Sequence, residues 1–148
     1  MTLAVRPLTP ADRKAWEPLW AGYLAFYEAT LAEGATDIAW ARFHDPAEPI
    51  AALGAFGPDG RLLGIVHYLF HRSTWTIGNY CYLQDLFTAE EARGKGAGRA
   101  LIEAVYERAR EAGASRVYWL THETNDVARA LYDKVADDPG FMQYRKIF

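Results

Sequence analysis

The residue types best suited to chemistry in this chain lie between Tyr82 and Arg99. Arg93-Gly94-Lys95-Gly96-Ala97-Gly98-Arg99 sets three glycines at alternate positions among three cations. Glycine frees the backbone to take φ > 0 and leaves successive N–H groups uncovered by side chains. A helix starting near Gly98 adds its own unpaired donors and the positive end of its dipole. The combination suits a phosphate or pyrophosphate, with Arg93, Lys95 and Arg99 around it. Spacing separates this turn from two commoner phosphate loops. A Walker A sequence is absent, and Arg99 stands where a dinucleotide fingerprint needs its third glycine. What remains is Arg-x-x-Gly-x-Gly, in Arg93, Gly96 and Gly98.

Other reactive side chains give weaker patterns. The four histidines, His44, His67, His71 and His122, have no metal-ligand spacing, so no metal is expected. Cys81 is the single cysteine and reads as a small hydrophobe on a buried strand. A lone cysteine forms no internal disulfide, which fits a reducing cytoplasm. The 148 residues carry 16 Lys+Arg against 19 Asp+Glu, a net charge of −3 with no basic block. Duplex nucleic acid is therefore not an expected partner. No apolar run is long enough to span a membrane, and Met1-Thr2-Leu3-Ala4-Val5-Arg6-Pro7 carries no secretory signal. Half the residues are hydrophobic, enough for one packed domain over 1–148.

The elements that must position these groups follow from periodicity. Ala4–Pro7 reads as a strand. Thr9, Pro10 and Asp12 start a helix whose apolar face runs Trp16, Leu19, Trp20, Tyr23, Leu24, Tyr27 and Leu31, kinked or divided at Pro18. A second helix begins at Thr36 or Asp37 and runs through Trp40 and Phe43. Pro49–Phe56 and Arg61–His71 form a hairpin around Gly57-Pro58-Asp59-Gly60. Asn79–Thr88 is the next strand, Gly98–Ala112 an amphipathic helix, and Arg116–Thr121 a fifth strand. Thr124 or Asn125 caps a helix through Val135, and Phe141–Ile147 reads as a final strand. The order is an α+β sheet with helices on both faces, with a parallel crossover from Asn79 to Thr121.

That order, together with Arg93, Gly96 and Gly98, resembles the Gcn5-related N-acetyltransferases, the GNAT superfamily. Asn125-x-x-Ala-x-Ala-Leu-Tyr132-Asp-Lys followed by Gly140-Phe141 is similar to the family's C-terminal motif, although Val135–Pro139 makes a longer join than usual. Arg6-Pro7, Tyr27-Glu28, Trp75-Thr76-Ile77-Gly78 and Tyr82–Phe87 resemble the diamine/spermidine acetyltransferase and Hpa2-like branch. The resemblance implies a mixed sheet of six to seven strands, acetyl-CoA as cosubstrate and a homodimer, with Tyr68–Trp75 and Tyr80–Tyr82 as contact surface.

The resemblance also implies roles. Residues 93–99 would hold the pyrophosphate, backbone groups of Leu86, Phe87 and Thr88 the pantetheine, and Asn125 would approach it too. Tyr132 would lie beside the thioester sulfur and protonate the departing thiolate. Spermidine enzymes carry Glu where this chain has Gln84, and an amide is no base. Asp85, Glu28 or a water ordered by Gln84 are the alternatives. Strict alternation puts Gln84 and Asp85 on opposite faces of the strand, so one of them sees the site. Tyr27, Glu28, Gln84 and His122 would meet the acceptor, with Glu28 suiting a cationic one. The implied activity is acetyl transfer to a small primary amine, a polyamine or an amino-acid-like molecule. Acetylation of protein lysine and a non-catalytic acyl-CoA sensor are the alternatives.

Overall fold

The computed structural model describes residues 2–148. Five strands form one sheet in chain order: β1 (Ala4–Pro7), β2 (Ile50–Phe56), β3 (Leu62–His71), β4 (Tyr80–Thr88) and β5 (Arg116–Tyr118). Neighbours run antiparallel except β4 and β5, which are parallel because helix α3 (Ala97–Glu111) carries the chain back between them. Helices α1 (Arg13–Phe26) and α2 (Ala35–Phe43) cover one face of the sheet. Helix α3 and the shorter α4 (Asp126–Val135) cover the other.

Alternation along the central strands feeds two cores. Leu53, Ala55, Val66 and Tyr68 turn toward α3, which answers with Leu101, Ile102, Val105 and Ala109 at helical spacing. Ala52, Phe56 and Ile65 turn toward Trp16, Trp20 and Trp40. Both faces being covered explains why β2 and β3 read as nearly continuous apolar runs.

The chain enters α1 through a braced turn. The Thr9 N–H donates to the Asp12 carboxylate at 2.7 Å, and Arg6 grips the same carboxylate at 2.8 and 3.2 Å. The Arg6 hydrogen bonds chiefly hold the Asp12 carboxyl down at about 2. Helix α1 runs unbroken past Pro18 and then stops at Phe26, short of the expected Leu31, which is exposed. The stop is a paired closure: Glu28 N–H donates to Ala25 O and Ala29 N–H to Leu24 O. Glu28 takes the left-handed position at φ 52°, where glycine is usual.

Three further expectations are corrected. The sheet has five strands, not six to seven, and β5 ends at Tyr118 rather than Thr121. Residues 139–148 form no strand, and Phe141, Met142, Tyr144, Ile147 and Phe148 are all exposed. A strand needs a partner edge of comparable length, and β5 offers three residues. Tyr68 is buried under α3, while Tyr80 and Tyr82 pack on Tyr118. Of the anticipated contact surface, Trp75 stands exposed, with Ile77 beside it.

Candidate active site

Strand β4 carries one residue too many. Tyr68 lies opposite Leu83 and His67 opposite Asp85, so Gln84 has no cross-strand partner. This β-bulge resets the alternation and bends the strand. Leu83 and Leu86 pack on the α3 side, while Asp85 and Phe87 face α1. Tyr82 senses the Asp85 carboxylate although three positions separate them. The sequence expectation assumed unbroken alternation. Gln84 is instead the unpaired, exposed residue of the bulge, and Asp85 is the side chain on the α1 face.

The bulge also marks where β4 and β5 part. Their ladder covers Tyr80–Tyr82 against Arg116–Tyr118 and ends there. Beyond it β4 is paired only to β3. Ala89 N–H donates to Leu63 O, and β3 uses the groups of Phe70 toward Pro49. Alternation of bonded and non-bonded pairs then turns Phe87 and Asp85 toward β3, and Leu86 and Thr88 toward the open edge. Of the three backbone segments expected to meet pantetheine, Leu86 and Thr88 face the gap. Phe87 does not; its side chain lies against Gly22 and Tyr23 of α1.

Asp85 sits in a dense polar setting. Its Oδ2 lies 2.9 Å from Nδ1 of the buried His67, whose Nε2 accepts the Trp16 indole N–H at 3.0 Å. Along α1, Trp16, Trp20, Tyr23 and Tyr27 form a continuous aromatic file, with neighbouring ring centroids 5.9, 5.4 and 4.9 Å apart. Its last two members lie close enough to the carboxylate to feel its charge. Burial first, and Asp85 second, push the Tyr23 and Tyr27 phenols above their ordinary range; the same holds for Tyr82. These hydroxyls stay protonated and available as donors.

The remaining predicted residues approach from the other side of the gap. Tyr27 stacks on His122, centroids 6.1 Å apart, and Tyr132 is close enough to Tyr27 to feel it electrostatically. Tyr132 meets Trp119 edge-on, and burial raises its phenol. One residue earlier, Leu131 lies 3.5 Å from where a Cβ on Gly98 would project, so α4 rests on the start of α3. That start is bare. Gly94 and Gly96 take φ 76° and 84° with open space beside them, and no side chain caps the helix. The first helical bond runs from Ala100 N–H to Gly96 O, leaving the N–H groups of Ala97, Gly98 and Arg99 ahead of it. Arg93 and Lys95 make no ion pair among the described residues, and Arg99 pairs with Glu103 at 2.9 Å. These features fit an anionic group at the helix start.

Three placements differ in kind from the rest. Glu28 is exposed and serves the α1 closure. Asn125 precedes α4 and reaches only Thr121, at 3.4 Å. Tyr23, His67 and Trp16 belong to the site without having been singled out as site residues. Tyr23 and Trp16 read as core members of a helix face, and pairing His67 with Asp85 requires the strand register. Among the described residues no cluster of three His, Cys, Asp or Glu side chains could hold a metal. No helix there is long and apolar enough to cross a membrane.

Comparison with known proteins agrees with this geometry. The model of the Acetyltransferase (GNAT) family matches residues 13–136. The D-amino-acid N-acetyltransferase HPA3 of Saccharomyces cerevisiae is 37% identical over 145 residues, 97% of this chain and 90% of that one. A thialysine N-epsilon-acetyltransferase of Caenorhabditis elegans is 35% identical over 72 residues, 49% of this chain and 44% of its own. Among solved structures, a ribosomal-protein-alanine N-acetyltransferase from Brucella melitensis biovar Abortus 2308 superposes with a TM-score of 0.81, covering both chains completely at 23% identity. That likeness establishes a shared fold. The split between β4 and β5, the bare glycine-flanked helix start and the family match converge: this chain belongs to the GNAT acetyltransferase family and is an N-acetyltransferase.

Proposed function

We propose that residues 1–148 act as one domain that moves the acetyl group of acetyl-CoA to the primary amine of a small molecule by direct attack. The observation that carries this reading is the convergence of Asp85, Tyr27, His122 and Tyr132 on a gap whose other end is the open α3 start. The pyrophosphate sits against the N–H groups of Ala97, Gly98 and Arg99, with Gly94, Gly96, Arg93 and Lys95 around it. Pantetheine runs along the free edge of β4 at Leu86 and Thr88, with Asn125 opposite. The amine nitrogen attacks the thioester carbonyl carbon, the C–S bond breaks, and Tyr132 gives its proton to the thiolate. Asp85 takes a proton from the amine. A carboxylate ringed by Tyr23, Tyr27 and Tyr82 also suits binding of the ammonium before attack.

The small-amine acceptor class is supported by relatives named for D-amino acids, thialysine and aminoglycosides. Homodimerisation is part of this reading, supported by the exposed apolar side chains Phe141, Met142, Tyr144, Ile147 and Phe148 in the last ten residues.

The test is CoA release from acetyl-CoA with D- and L-amino acids, thialysine, polyamines and aminoglycosides, and product identification by mass spectrometry. Acetylated product from one class is the expected outcome. The Tyr132→Phe variant is expected to keep acetyl-CoA affinity and lose about 100-fold in kcat. Tight acetyl-CoA binding without turnover of any amine would favour a sensor instead.

A further inference from the structure

The pairing of His67 with Asp85 has an unusual polarity. An indole N–H only donates, so Nε2 of His67, 3.0 Å from the Trp16 nitrogen, must present its lone pair. The ring proton then resides on Nδ1, which lies 2.9 Å from Asp85 Oδ2 and donates to it. His67 is 2% exposed and is walled by Trp16, Trp20 and Phe43, with ring centroids 4.6–6.0 Å away. A flipped ring would set C–H groups against both partners. A doubly protonated ring would set N–H against the indole N–H.

We propose that His67 is a positioning residue for the acetyl transfer: its Nδ1–H fixes the Asp85 carboxylate toward the acceptor amine, and Trp16 locks the imidazole in the tautomer able to do so. The inference rests on the proposed role of Asp85. With Oδ2 held by His67, Oδ1 is left for the acceptor, and Tyr23 and Tyr27 of α1 and Tyr82 of β4 are near enough for the carboxylate to raise their phenols. Arg145 lies beyond Tyr82, and α2 contributes the apolar Phe43 to the His67 pocket. The proton that Asp85 accepts from the amine cannot move on through His67, because the far ring nitrogen is closed by Trp16. It leaves by the cleft, to water. Asp85 is thus kept as an oriented acceptor, with no relay behind it.

Two substitutions separate positioning from packing. Asparagine places an amide nitrogen where Nδ1 sits, and glutamine reaches the Nε2 position while leaving Asp85 without its donor. The expected result is that His67→Gln lowers kcat/KM for the amine about 10- to 100-fold with KM for acetyl-CoA unchanged, whereas His67→Asn recovers most of the loss. Equal losses in the two variants would overturn the proposal. Nitrogen NMR of the wild-type protein adds a readout independent of turnover and of variant folding. A ring protonated on Nδ1 and bare on Nε2 is expected; an Nε2–H tautomer would overturn the proposal. Full activity of Asp85→Asn would instead overturn the role of the carboxylate. That failure is recognisable because both His67 variants would then be active while the tautomer stayed as described.

Discussion

At the scale of single residues, the two carboxylates considered as bases separate by environment. Asp85 is largely enclosed, with a histidine bonded to it and three phenols influenced by its charge, whereas Glu28 stands in solvent at the end of α1. Glu28 holds a left-handed backbone that costs a non-glycine residue about 1 kcal/mol. Glu28→Gly should therefore raise stability by about 0.5–1 kcal/mol in urea denaturation and leave kcat intact. A large fall in kcat would return Glu28 to the list of bases. Asp12 gives a pH-dependent case. Its folded value of about 2 lies below the unfolded 3.8, so its contribution is present above about pH 4 and is lost as pH falls toward 2. Arg6 is nearly half exposed, which limits the pair to about 1 kcal/mol or less. The stability difference between wild type and Arg6→Gln should be seen at pH 7 and vanish near pH 2.

At the scale of elements, the start of α3 and its end make different demands. At the start, Gly96 takes φ 84° in open space, so Gly96→Ala adds backbone strain and a methyl group in the anion pocket. Its expected signature is a KM for acetyl-CoA raised several-fold with amine KM unchanged. At the other end, the connection from β3 to β4 passes so close that a Cβ on Gly78 would lie 2.4 Å from the Gly113 carbonyl oxygen. Backbone cannot yield as a side-chain tip can. Gly78→Ala should destabilise by about 1–3 kcal/mol, read as a lowered urea midpoint with an unchanged slope. The alternating glycines near Arg93 were legible because φ > 0 and bare N–H groups are local properties. So were the five strands, the last read three residues too long, and the inner face of α3, which follow from period and turn signals. The bulge was not legible: a period-two reading has no means of registering an extra residue, and it sent Gln84 to a definite face. The His67–Asp85 contact was hidden for the same reason, since it joins two strands whose register the sequence does not state.

At the scale of the whole molecule, the sheet is edged by β1 on one side and parts where β4 and β5 diverge on the other, and exposed apolar residues follow α4. The expectation of a sixth strand at Phe141–Ile147 failed there because a strand is defined by its partner, and this apolar-rich segment has none within the described residues. If association uses this segment, deleting residues 139–148 should convert a dimer into a monomer in sedimentation equilibrium while circular dichroism stays unchanged. A dimer that survives the deletion would place the contact elsewhere.

The unpaired residue in β4 can be regarded as a dislocation, in the sense used for crystals. Removing Gln84 would keep every cross-strand partner it now separates, with Tyr68 opposite Leu83 and His67 opposite Asp85 as consecutive rungs. Both packed faces would keep their occupants. The edge of β4 would run straight, free to zip further along the segment after Tyr118, and the crevice would heal. The deletion should therefore give a protein that melts no lower than the wild type and has nowhere to put a thioester. Perfection of the lattice and possession of a site are, in this strand, alternatives.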